Sequence, residues 1–182
     1  MAKFLDFAAV GKTDWKNPNL DYKNKLWLGA AVGAVLVLIL AFTPWISLSL
    51  TAADGEMTAN GSVLGVGTVY GIFALIGAVV ALYGVLYRQL GFAIVGAGFA
   101  LLMVLIFFMA KDGIEVDTVV KSFGKSKTEA ITITKFNEDA SKAAKYYDDI
   151  KSTVSSIVPL FVLIGAALSA VCSYLLFKKE NK

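Results

Sequence analysis

Four long stretches without one charged side chain set the terms for this chain. Leu26 to Thr43, Met57 to Tyr87, Gln89 to Ala110 and Ser152 to Phe177 contain no Asp, Glu, Lys or Arg. A hydrocarbon layer about 30 Å thick is crossed by roughly 20 helical residues. Helices are the economical way across because lipid offers backbone polar groups no partner. Hydrophobic residues make up 57% of the 182 positions, against about 45–50% in an ordinary soluble domain. The expected fold class is therefore membrane α-helical, a four-transmembrane-helix bundle.

The first stretch is too long, and too far from the start, for a cleaved leader. A leader's apolar core is about 7–15 residues and lies close to the N-terminus. The expected organisation is an N-terminal segment 1–25, spans 26–43, 63–87, 91–110 and 157–177, and a tail 178–182. A short turn, 88–90, joins the middle two spans. Loops 44–62 and 111–156 lie on the opposite side from the termini.

Charge sets the threading. Lys3, Lys12, Lys16, Lys23 and Lys25 precede the first span, and the loop after it has no Lys or Arg. The positive-inside rule then puts both termini in the cytoplasm, in the plasma (inner) membrane. The second loop runs the other way, with eight lysines among residues 111–151. The first helix, flanked by five lysines on one side and none on the other, is taken as decisive.

Both outer loops carry strand signals. Ile46, Leu48 and Leu50 alternate with polar residues, the two-residue period of a half-buried strand, and Asp54-Gly55 is a hairpin turn signal. Ile114, Val116 and Val119, then Ile131, Ile133 and Phe136, repeat the device around "GKSK". Two hairpins pairing into one small extracytoplasmic β-sheet are expected. A helix should follow, capped by Asn137 and carried by Ala140, Ala144, Tyr147, Ile150 and Val154 at helical spacing. Pro159 should kink the last span or mark its start.

The stretch "LGVGTVYG", Leu64 to Gly71, resembles two famous loops and fits neither. A potassium filter needs a pore helix before it and an inner helix after it, and only Ile72 to Tyr87 remain before Arg88. A dinucleotide loop needs a parallel strand and an acid about 20 residues on, and no acid appears before Asp112. Packing explains the glycines better. Gly61 with Gly65, Gly67 with Gly71, and Gly29 with Gly33 are four apart, the spacing that lets helix backbones approach. Gly77 and Gly165 join them as expected helix-packing positions, and Pro44, Trp45, Asp54 and Gly55 as structural positions of the first outer loop.

Chemistry is sparse. There is no histidine, the commonest general base near neutral pH. One cysteine, Cys172, can form neither an internal disulfide nor a Cys/His zinc cluster. No ionisable residue lies mid-span, where coupled transporters handle charge. Thr68, Ser169, Cys172 and Ser173 are the polar groups available there. No catalytic, cofactor-binding or metal-binding residue is assigned, and nothing points to nucleic acid. Phe4, Phe7, Ala8 and Val10, among lysines, form a short apolar set suited to the inner membrane face or to a partner.

Pro44, Trp45 and "NGSVLGVG" (Asn60 to Gly67), on a four-span chain with a longer second loop, resemble the claudin-like and tetraspan class of small membrane proteins, and similar small bacterial four-span proteins. The cysteine pair of claudins and the cysteine-rich loop of tetraspanins are absent here. What the resemblance implies is an interaction role. The expected function is a non-enzymatic scaffold or accessory subunit, meeting membrane lipid and other membrane subunits or copies of itself. The alternative is an oligomeric pore or small-molecule transport component lined by Thr68, Ser169 and Ser173.

Overall fold

The computed structural model describes residues 4–14, 16–52, 57–122, 124–147 and 149–181. In chain order its elements are α1 (Phe7–Val10), α2 (Lys25–Leu40), β1 (Pro44–Thr51), β2 (Met57–Leu64), α3 (Val69–Leu86), α4 (Leu90–Ala110), β3 (Glu115–Ser122), β4 (Lys125–Thr132), α5 (Ile133–Ala143), β5 (Lys151–Ser155) and α6 (Val158–Glu180). Single 3-10 turns occupy Gly65–Gly67 and Lys111–Gly113.

Among the described residues, three helices are long and apolar enough to cross a membrane: Val69–Leu86, Leu90–Gly113 and Val158–Glu180. α2 is as apolar but has 16 residues; at 1.5 Å per residue it is about 24 Å long. Side-chain size is sorted by face. Ala34, Ala78, Ala81, Ala97 and Ala166 are buried, whereas Ile39, Val79, Leu102 and Ile164 are exposed. Small residues inside let the helix backbones close on one another, and large apolar ones outside suit a hydrocarbon surround.

The helix ends follow from local chemistry. Asn24 accepts a hydrogen bond from the Leu26 N–H and Thr68 from the Gly71 N–H, each covering a donor in the first turn. Pro159 sits in the first turn of α6, where its missing N–H costs no bond. It marks the helix start. α2 stops at Leu40, three residues before the expected boundary. There the Thr43 hydroxyl (2.7 Å) and the Trp45 indole N–H (2.9 Å) both donate to the Leu40 carbonyl.

The two loops form one antiparallel sheet of five strands, in the order β4-β3-β2-β1-β5. The β2–β3 ladder, Met57 to Gly61 against Thr118 to Ser122, joins the hairpins. Ile46, Leu48, Leu50, Ala59 and Val116 lie on one face, in the same core as Val37, Val104 and Phe107 of the helices. Sheet and bundle therefore share a hydrophobic core, with the rings of Trp45 and Phe107 edge-on at 5.0 Å across the junction.

The second loop departs from expectation in two places. Its helix begins at Ile133, capped by Thr132 rather than Asn137, and ends at Ala143. Beyond it Lys151–Ser155 is a strand, not a continuation of the helix. Strand β1 has an open edge, and pairing there sets Val154 beside Leu48 on the buried face. Ile133 and Phe136, expected at the end of a strand, are three apart on α5 and face the same core.

Candidate functional site

The glycines divide into three groups. Gly29, Gly33 and Gly165 bring α2 and α6 together: a β-carbon on Gly33 would lie 2.5 Å from the Gly165 carbonyl oxygen and 2.7 Å from the Ser169 nitrogen. A β-carbon on Gly29 would lie 2.7 Å from the Cys172 sulfur. Gly77 does the same for α3 and α4, 2.7 Å from the Gly96 carbonyl. These contacts lie within the chain.

Gly61, Gly65 and Gly67 are not helical. Gly61 is in β2, opposite Thr118, while Gly65 and Gly67 bound the 3-10 turn. Ladder pairing to Leu64, then the Gly65 N–H to Thr43 O and Val66 N–H to Ala41 O bonds, hold this backbone out of the helix that the four-residue spacing suggested. Gly65 lies under the Trp45 indole, and the Gly65 carbonyl lies over Gly71, leaving no room there for a side chain. Gly67 is exposed and would meet only a methyl of Val63, at 3.0 Å. "LGVGTVYG" is thus the end of a strand, a tight turn and a helix capped by Thr68. Asp54 and Gly55 lie outside the described residues.

The candidate site is the sheet itself. Alternation buries one face; the other carries hydroxyls on β1 and β2, with Glu115, Asp117, Lys121 and Lys151 on the flanking strands. Across it the pairing register sets Thr153, Ser49, Asn60, Val119 and Thr128 in one row. Ser155, Ser47 and Ser62 form the row on one side, and Lys151, Thr51, Thr58, Lys121 and Ser126 the row on the other. Ser49 donates to the Asn60 side-chain oxygen at 2.9 Å. The middle rows of β1 and β2 carry no charge, so a partner would face donors and acceptors that cost less to dehydrate than ions.

On the buried side, a groove of about 360 Å³ opens between the sheet and α5. Met57, Val120 and Ile131 meet Phe136 there, between the pairs Lys127–Glu129 (2.5 Å) and Lys142–Asp139 (3.6 Å). The Lys127 ammonium, hydrogen-bonded to Glu129, holds that carboxyl below its ordinary range. Nearby, Asp112 pairs with Lys111 at 3.0 Å and Glu115 is exposed at the start of β3.

The pore candidates are not brought together. Thr68 caps α3 beside the sheet, its hydroxyl donating to Gly65 O at 2.8 Å. Ser169 and Ser173 are buried in α6, and neither hydroxyl has a partner among the described residues. Counting from Val158, Ser169 and Ser173 lie about 16 Å and 22 Å along that helix.

At the end remote from the sheet, Arg88 of the turn between α3 and α4 ties two other segments. Arg88, in a left-handed conformation (φ 57°), bonds Asp21 at 2.8 Å and also Glu180. The N-terminal segment packs back on the bundle through the ring pairs Phe4–Phe177 and Phe7–Phe92. Nothing local in the sequence signals the two Arg88 pairs, which join positions 67 and 92 residues apart.

Fold and site together define a class: apolar helices of membrane-crossing length that carry an antiparallel sheet on one end. No protein-family model, curated protein or solved structure matches the chain.

Proposed function

We propose that this chain is a non-enzymatic four-span membrane scaffold or accessory subunit. It sits in the plasma (inner) membrane with both termini cytoplasmic and offers the hydroxyl face of its sheet to a protein partner outside. α2 counts as the fourth span because it lies between helices of spanning length, with its Gly33 against Gly165. The lysine-bearing N-terminal segment, Arg88 and the end of α6 meet at one end of the bundle, which supports a shared cytoplasmic side.

The observation that carries the reading is the core that sheet and helices share. A sheet merely tethered to a bundle would move independently of it. This one is held through Trp45, Ile46 and Phe107, so it presents a fixed surface.

Native mass spectrometry after gentle extraction from the source membrane tests the proposal. A second polypeptide in fixed stoichiometry is expected, lost in Ser49→Arg and Asn60→Arg variants that keep the parent melting temperature. Retention of that polypeptide by both variants, or no second polypeptide at all, overturns it. Gly67→Leu adds an arm for assembly through the turn. Gly71→Leu does not, because it would collide with the chain's own Gly65.

A further inference from the structure

A shallow cleft of about 550 Å³ lies at the foot of α2 and α6, the end remote from the sheet. Lys23, Lys25 and Lys179 line it, with Asp21, Asn24 and Leu26. Asp21 turns its carboxylate to Arg88, as does Glu180, the neighbour of Lys179. Among the described residues, none of the three lysines has a carboxylate within ion-pair distance. Arg88 therefore engages the two nearby acids, and among the described residues the three ammonium groups around the hollow are left without an ion-pair partner.

Apolar surface begins directly below. Gly29 against Cys172 makes the α2–α6 seam shallow. Leu36 and Leu168, part-exposed at 38–39%, lie beside it, next to Gly165 and Gly29. At the level of the cleft, the Tyr22 ring stands edge-on to Trp27 at 5.7 Å, and the Trp27 indole N–H donates to Val85 O at 3.1 Å. Tyr22 is exposed there, an amphipathic ring of the kind that gathers where hydrocarbon meets water, whereas Trp27 is buried and ties α2 to α3.

We propose that this cleft holds the headgroup of an anionic membrane phospholipid, with an acyl chain along the α2–α6 seam. Three lysines without an ion-pair partner among the described residues, above a strip of apolar surface, match a phosphate joined to a hydrocarbon chain. Asn24 fixes the geometry by capping Leu26 at 3.1 Å, which sets the direction in which Lys25 leaves the helix. The inference rests on the membrane-spanning reading of the helices and not on the sheet's partner.

The test is a titration of the full chain in detergent micelles with phosphatidylglycerol or with phosphatidylcholine of the same acyl chains, bound lipid being read by native mass spectrometry. Phosphatidylglycerol should bind about tenfold tighter or more, since each lysine near an anionic surface contributes to attraction. The Lys23→Gln/Lys25→Gln/Lys179→Gln variant should lose that preference, Lys12→Gln/Lys16→Gln should keep it, and inorganic phosphate should not compete. Equal binding of the two lipids, equal loss in both variants, or displacement by inorganic phosphate overturns the proposal. Nanodisc incorporation, run alongside, separates the two failures. A chain that enters nanodiscs without lipid preference refutes the cleft, and one that does not enter refutes the membrane reading beneath it.

Discussion

The backbones of α2 and α6 meet at Gly33 and Gly165, where a β-carbon on either residue would approach the other's carbonyl oxygen, at 2.5 Å and 3.0 Å. Backbone cannot rotate away as a side chain can, so the two helices must separate to admit any side chain at Gly33. Gly33→Leu is expected to cost at least about 1–3 kcal/mol as an overpacked core substitution. Gly98, also helical, has nothing within 4 Å of the corresponding point. Gly98→Ala should be stabilising by about 0.5–1 kcal/mol, through helix propensity alone. Melting temperatures in one detergent check the pair, and the same shift in both variants would refute this account of the packing.

Trp45 makes the second prediction. It is fully buried, stands edge-on to Phe107, and its indole N–H closes the end of α2 through the Leu40 carbonyl. Trp45→Phe keeps most of the ring and loses the donor, so a loss of about 1 kcal/mol is expected. Trp45→Ala also removes the wedge between sheet and bundle and should cost about 3–5 kcal/mol. Denaturant unfolding that ranked the two variants equally would show that the ring does not fasten the sheet.

How much of this was readable beforehand depends on the range of each signal. Apolar runs and two-residue alternation are local, and they announced the membrane-type helices and the strands around Leu48 and Val116. Val154, expected in a helix, lies in a strand. It continues the helical spacing of Tyr147 and Ile150, yet it also fits a strand, and the open edge of β1 more than 100 positions earlier decides the matter. Thr132 and Asn137 are both competent caps, and local pattern does not choose between them. Gly61 and Gly65 have the spacing of a helix-packing pair, but the ladder from β1 and the Trp45 indole hold them in a strand and a turn. The hydroxyl face of the sheet was present as alternate positions in each strand. Its assembly into rows required the strand order, which no single strand contains.

Titration of Glu129 offers a local check on the groove. Its carboxyl is held low, first by the hydrogen bond from Lys127 and then by that residue's charge. A carboxylate with a depressed folded-state pKa adds stability above its unfolded pKa, and that contribution fades as pH falls through the folded value. Stability should therefore dip slightly on acidification below the ordinary glutamate range. Glu129 is part-exposed, so solvent screens the pair and the global effect should be small. The sharper readout is the Glu129 side-chain NMR titration, whose midpoint should rise in Lys127→Gln. An unmoved midpoint would mean that the Lys127–Glu129 contact does not persist in solution.

Arg88 makes the last prediction, and its effect should be local. Its ion pairs with Asp21 and Glu180 are part-exposed, a setting in which each pair is worth about 0.2–1 kcal/mol. Replacement by Gln should therefore shift the global melting temperature little. The N-terminal segment is also held by Phe4 on Phe177, Phe7 on Phe92, the Thr13–Tyr83 hydroxyl pair at 2.8 Å and the Asn19 N–H to Leu86 O bond. Without the Asp21 tie, residues 12–24 should open far more often than the bundle unfolds, because segments with few buried contacts open at low free energy. Arg88→Gln is accordingly expected to speed trypsin cleavage at Lys12, Lys16 and Lys23 several-fold while leaving α3 and α4 protected. Arg88→Lys should behave more like the Gln variant than like the parent, because one ammonium cannot reproduce a planar guanidinium reaching two carboxylates on different elements. Cleavage at the parent rate in both variants would show that the other contacts seat the segment without Arg88. Faster cleavage throughout the chain would show instead that Arg88 holds up the fold.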